Sequence, residues 1–206
     1  MNVVVFDCFH WMGFHFVEKF LSEGIEVNGV GHITNPQEEF LYTLIGRNAL
    51  FNWQEDVRNI RNQHSRTIVI SCYKSPQDVK KMLNTENIKG EYYFIMEEDI
   101  RDMSLSHIRN EVFLFIPPVI GPWMREKDFK DASQKESVLF IDDLVDSVFC
   151  LTQEKKKTNV LSITYHKEQN RFYLDDKRIS QTPADEAIDV VQNHIMNWKE
   201  NYYRLN

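Results

Sequence analysis

The spacing of apolar residues changes twice within the first thirty positions. Residues 2–6 (NVVVF) are apolar without alternation, the pattern of a strand buried on both faces. Over residues 14–22 the spacing turns helical, with Phe16, Val17, Phe20 and Leu21 on one face, and Gly24 stands where that helix should end. Residues 26–31 (EVNGVG) then predict a second strand. A strand, helix and strand within about thirty residues is the size of a right-handed parallel crossover. Further buried strands are predicted at 67–72 (TIVISC), 92–96 (YYFIM) and 111–116 (EVFLFI), with a helix over 75–83 that Ser75-Pro76 opens. Strands separated by helices predict an α/β fold, a doubly wound and mostly parallel sheet.

Elsewhere the pattern is weaker. Phe40, Leu41, Leu44 and Ile45 suggest a helix, and residues 48–53 a short edge strand. From Ser137 the texture changes: residues 138–141 read as a brief strand, and Asp142-Asp143 as caps of a helix carrying Leu144, Val145, Val148, Phe149 and Leu151. After Lys157 come a strand (160–165), a hairpin around Asp175-Asp176 and an amphipathic helix from Ala184 to about Tyr203. The expected organisation is a Rossmann-type domain over residues 1–158 and a small α+β appendage over 159–206.

Composition narrows the function classes. The chain has 206 residues, 42% of them hydrophobic and 27% charged, which fits a folded domain rather than a disordered one. No stretch approaches the roughly 18 apolar residues of a membrane span, and MNVVVFDCFHWM lacks the basic start and cleavage site of a secretory signal. Three widely spaced cysteines in mainly apolar settings, Cys8, Cys72 and Cys150, read as reduced, buried thiols, so a cytoplasmic location and no membrane partner are expected. A net charge of -7 argues against a nucleic-acid partner, and the run Lys155-Lys156-Lys157 reads as a solvated turn. Only seven glycines are present, half the usual share.

Three segments, in order, resemble the extended short-chain dehydrogenase/reductase superfamily, in its NAD-dependent epimerase/dehydratase branch. Residues 3–30 (VVVFDCFHWMGFHFVEKFLSEGIEVNGV) are similar to its opening glycine-rich unit, residues 113–124 (FLFIPPVIGPWM) to its R-P-x-x-x-Y-G-P segment, and residues 138–153 (VLFIDDLVDSVFCLTQ) to its F-I-H-V-D-D-L-V segment. The resemblance implies a Rossmann fold and places the NAD(P)-binding positions at Asp7, Phe9, His10, Trp11, Met12, Gly13, His32 and Ser71, the loop and strand-end positions.

The departures from the pattern carry as much information. The three loop glycines align with Asp7, His10 and Gly13, so only the glycine that lets helix and strand pack closely is kept. Asp7 would set a carboxylate near a pyrophosphate, and His10 and Trp11 would add bulk; alternatively Asp7 caps the helix and His10 fills the cofactor's space. At the ribose position stands Gly31-His32, where a histidine could face a 2′-phosphate or be a plain surface residue. The superfamily's Tyr-x-x-x-Lys pair should lie within residues 97–110 (EEDIRDMSLSHIRN), which contain neither residue. Tyr173 and Lys177 have the spacing but fall in the predicted hairpin, where positions i and i+4 do not share a helix face. The missing helix also leaves the usual homodimer in question.

Other constellations are weaker. Cys8, His10 and His15 match no closed metal site, so no metal is expected. Cys72 beside Lys74 could be an activated thiol or an inert buried one. Glu97, Glu98 and Asp99 could act as acid and base or form a solvated turn, and Trp123 could stack a ligand or seal the cleft. The expectation is a binding protein without dehydrogenase or epimerase chemistry, holding a protein partner or a small ligand in its cleft and needing no cofactor. The alternative is an atypical reductase or isomerase that still binds NAD or NADP.

Overall fold

A computed structural model describes residues 1–60, 66–72, 75–85, 88–97, 110–154 and 160–203. Its first half alternates strand and helix: β1 (Asn2–Phe6), α1 (Trp11–Ser22), β2 (Glu26–Val30), α2 (Pro36–Ile45), β3 (Phe51–Gln54), β4 (Thr67–Ser71), α3 (Pro76–Thr85), β5 (Glu91–Glu97) and β6 (Glu111–Ile116). The second half holds β7 (Val119–Ile120), α4 (Glu126–Ser133), β8 (Leu139–Phe140), α5 (Ile141–Gln153), β9 (Val160–His166), β10 (Arg171–Leu174), β11 (Lys177–Arg178), α6 (Ala184–Asn197) and α7 (Lys199–Tyr203). One nine-stranded sheet runs in the order β3-β2-β1-β4-β5-β6-β9-β10-β11. Strands β3 to β9 along that order are parallel, and β10 and β11 close one edge as an antiparallel hairpin.

Side chains of a strand alternate faces, and here both faces are buried. Val3 and Val5 join the core on one side, with Ile68, Ile70, Tyr93 and Leu114; Val4 and Phe6 join the other, with Val69, Val79, Leu83, Phe94 and Phe113. Helices α1 and α5 pack together on the first side, through Phe20 and Phe149 among others. Helix α1 ends as the sequence suggests. Gly24 takes φ 71°, its N–H bonds to the Leu21 carbonyl, and Ile25 N–H bonds to the Phe20 carbonyl, a Schellman end that favours glycine.

Several boundaries differ from expectation. Helix α1 begins at Trp11, three residues early, because the chain leaves β1 through a tight turn at Asp7 and His10 takes the N-cap position. Neither Asp142 nor Asp143 caps α5. The helix starts at Ile141 with Phe140 at the N-cap, so both carboxylates sit in its first turn. Asp143 is buried and its Oδ2 accepts from Thr182 N–H at 2.7 Å, tying α5 to the segment before α6. Burial raises the pKa of its carboxyl, and the bond from Thr182 partly opposes this. The strand at 138–141 shrinks to β8, which pairs only with β7 in a separate two-stranded sheet. The final helix is broken at Trp198 into α6 and α7. Strand β9 pairs with β6, so the main sheet runs on across residue 159. No helix among the described residues is long and apolar enough to cross a membrane.

Candidate functional site

The strand order reverses between β1 and β4, and in open α/β sheets ligands bind outside the carboxyl ends of the strands at such a point. The turn that leaves β1 there is built on an aspartate. Asp7 adopts φ 51°, a left-handed conformation that aspartate tolerates better than most residues, and its carbonyl accepts from His10 N–H at 2.9 Å. Cys8 N–H reaches the Val30 carbonyl at 3.4 Å. The turn then lies under α1, where a Cβ on Gly13 would stand 2.3 Å from the Asp7 carbonyl oxygen. Glycine at 13 is therefore required by backbone contact.

Phe9 sits in an aromatic nest, edge-on to Tyr42, Phe51 and Trp53 at 5.7, 6.2 and 5.7 Å. Trp53 Nε1–H donates to the Gly31 carbonyl at 2.8 Å, which holds the end of β2 against the same nest. Two cavities flank the loop. A cleft of about 590 Å³ is lined by His10, Trp11 and Met12 at the start of α1, by Glu97 at the end of β5, by Ile116, Pro117, Pro118 and Val119 after β6, and by a wall from Met124 to Lys135. A space of only about 110 Å³ lies on the other side, lined by Asp7, Phe9, His10, His32 and Glu38. His10 borders both.

The eight proposed cofactor positions are thus dispersed. Asp7, Phe9, His10 and His32 meet at the small cavity, His10, Trp11 and Met12 at the large one, while Gly13 is packed under the turn. Ser71, buried at the end of β4, lines neither cavity. Burial lowers the pKa of His10, and the carboxylates of Asp7 and Glu38 pull the other way. Glu38 is committed locally: its Oε2 accepts from Thr34 N–H at 2.7 Å and from the Thr34 hydroxyl at 2.8 Å. The charged wall of the cleft escaped sequence reasoning. Arg125 grips Asp128 through Nε at 2.6 Å and Nη2 at 3.2 Å, and Asp131 and Lys135 follow on the same side. The spacing of these charges along 125–135 was the available signal, but it equally describes a solvated helix.

Trp123 does not face the cleft. It stacks on Tyr202 at 5.7 Å, with His194, Trp198 and Phe40 around it at 4.2, 5.7 and 5.4 Å. Burial lowers His194 to about 4, and His15 nearby adds to the effect. As pH falls, the unfolded chain takes up this proton near 6.5 and the folded chain only near 4, so stability is full above 6.5 and lost between those values. Between pH 7 and pH 5 the wild type should lose about 1–2 kcal/mol more than His194→Gln, allowing for the partial exposure of the ring. Urea denaturation at the two pH values measures that difference; parallel losses would refute it.

The remaining candidates find structural roles. His15 is buried, its Nε2 facing the Pro122 carbonyl at 3.1 Å, and burial holds it to about 4. Burial likewise raises the thiols of Cys8 and Cys72 well above the usual range, whereas Cys150, expected to be buried, is exposed on α5. Lys74, Glu98 and Asp99, and the interval 98–109, lie outside the described residues. No metal-holding group of three His, Cys, Asp or Glu side chains occurs among the described residues. Tyr173 and Lys177 fall on the paired strands β10 and β11; the tyrosine hydroxyl donates to Gln169, and the lysine binds Glu154 at 2.9 Å.

No protein-family model matches the sequence, and no curated protein matches it. Solved structures do share its architecture. Yeast methylglyoxal/isovaleraldehyde reductase complexed with NADPH aligns with 97% of this chain and 100% of its own, at TM-score 0.63 and 11% identity. Vestitone reductase from alfalfa aligns with 98% and 99%, at TM-score 0.57 and 11% identity. A UDP-glucose 4-epimerase aligns with 94% and 82%, at TM-score 0.52 and 11% identity. At such identities the likeness establishes the fold, and that fold is the Rossmann-type one which the three sequence segments imply.

Proposed function

We propose that this chain, built on the fold of NAD(P)-dependent reductases and epimerases, is a binding protein that has set aside the dinucleotide and holds a small ligand in its 590 Å³ cleft. One observation carries the reading: His10 stands at the N-terminus of α1 and borders both cavities, dividing the space at the switch point. A dinucleotide needs a continuous groove there, with bare backbone turned to its pyrophosphate. The smaller compartment, about 110 Å³, falls below the usual size of a ligand pocket and is faced by the carboxylates of Asp7 and Glu38. Those charges oppose an anion. The residues present therefore do not fit NAD or NADP.

Titration with NADH and NADPH, followed by nicotinamide fluorescence and thermal shift, should show no saturable binding at millimolar concentration. Micromolar binding would overturn the reading in favour of a reductase or isomerase, which the retained Gly13 and the NADPH complex of the yeast neighbour favour. The double substitution Asp7→Gly with His10→Gly removes the carboxylate and the dividing ring while suiting the left-handed turn. It should bring NADPH binding into the submillimolar range, a gain of at least about tenfold, worth about 1.4 kcal/mol. A double variant that stays folded yet gains nothing would show that those side chains are not the obstruction.

A further inference from the structure

The wall of the cleft is anchored from a distance. The turn from Gly121 to Trp123 precedes Met124, Arg125 and α4, and three elements hold it. The Pro122 carbonyl faces His15 Nε2 on α1 at 3.1 Å, and the Trp123 carbonyl accepts from Gln37 Nε2 on α2 at 2.7 Å. Trp123 N–H donates to the hydroxyl of Tyr202 on α7 at 2.6 Å, and that hydroxyl lies 2.8 Å from His194 Nδ1 on α6. With its oxygen accepting from Trp123, the hydroxyl has its proton to give to the neutral imidazole. Trp123 itself is held at φ 67°, a left-handed conformation unfavourable for a bulky side chain and sustained by what surrounds it.

The C-terminal helices attach to the rest of the chain through a small set of side chains. Among the described residues of α6 and α7, Ala187, Val191 and Tyr202 are buried and Ile188 and Ile195 pack partly buried on the core, while Met196 is 65% and Trp198 41% exposed. Just before α6, Thr182 N–H is fixed to Asp143, so any swing of α6 and α7 would have its hinge at Pro183, the N-cap. We infer that α6 and α7 form a clasp that swings on this hinge and sets the position of the cleft wall by gripping Trp123. When the clasp is docked, Trp123 is fixed and Met124, Arg125 and Asp128 are presented to the cleft. When it lifts, the Trp123 N–H loses its acceptor, the ring loses Tyr202, His194 and Trp198, and the wall is free to move. By linkage, anything that binds the docked form of the cleft also strengthens the clasp. The inference is independent of what the cleft holds.

Hydrogen exchange on the full chain, resolved by peptide, tests it. Tyr202→Phe keeps the stacked ring and removes only the hydroxyl between Trp123 and His194. It should speed exchange about tenfold in both 119–135 and 184–203, while β1 and β4 keep their protection. Trp198→Ala, which removes a ring 41% exposed that packs on Trp123 and Phe40, should speed the same two regions. Faster exchange confined to 184–203 would overturn the inference, because the helices would then loosen without moving the wall. Unchanged exchange, or a uniform rise across the sheet, would overturn it too.

Discussion

Gly13→Ala should lower stability by about 3 kcal/mol and the melting temperature by roughly 6–12 °C. The added Cβ would stand 2.3 Å from the Asp7 carbonyl oxygen, 3.0 Å from its carbonyl carbon and 3.3 Å from the Phe6 carbonyl oxygen. All three are backbone atoms of the turn between β1 and α1, so no side chain can swing aside. Relief requires α1 to move off the sheet, and Phe14, Phe16, Val17 and Phe20 are buried on it. Alanine's better helix propensity returns at most about 1 kcal/mol, and the clash exceeds it. Gly24→Ala is the informative comparison, since nothing lies within 4 Å of its Cβ and the cost is only that of a left-handed alanine, about 1 kcal/mol. Urea denaturation of both variants gives the order; a Gly13→Ala protein as stable as Gly24→Ala would mean that the turn is not pressed against the helix.

Lys80→Met should cost about 3 kcal/mol for a different reason. Glu111 opens β6 with only 3% of its surface exposed, and its Oε2 lies 2.6 Å from Lys80 Nζ on α3. The ammonium also sits over the rings of Phe94 and Phe113, at 5.8 and 5.9 Å, so its stem packs on the core as its head meets the carboxylate. Methionine keeps most of that packing and leaves a buried carboxylate uncompensated. Adding Glu111→Gln should restore most of the loss, because the amide is neutral and replaces a charge that costs several kcal/mol to bury alone. A double variant no more stable than Lys80→Met alone would assign the effect to packing.

The parallel sheet was legible in the sequence because strands buried on both faces are written as unbroken apolar runs, as in NVVVF and EVFLFI. The hairpin at Asp175-Asp176 was legible from its turn residues. Features set by distant contacts were not. Asp142-Asp143 reads as a cap in any sequence, yet Asp143 is drawn inward by a backbone N–H 39 residues away. Trp123 reads as cleft-facing from its neighbours Gly121 and Pro122, but the residues that claim it, His194, Trp198 and Tyr202, lie at the far end of the chain. The loop at the switch point was half legible. The resemblance aligns Asp7 and His10 with glycines, but nothing in the sequence tells that His10 borders two separate cavities.

The pairing of β9 with β6 also bears on how the chain is made. On the ribosome β1 to β6 emerge first, and they can assemble with one edge of β6 bare. Its cover, β9 with the hairpin β10–β11, follows about 50 residues later, a delay of several seconds at about 5–20 residues per second. During that interval EVFLFI is an uncovered apolar strand, the kind that pairs with other chains. High expression levels, which put many such chains together at once, should therefore favour inclusion bodies seeded at this edge, and lower expression levels should favour soluble protein.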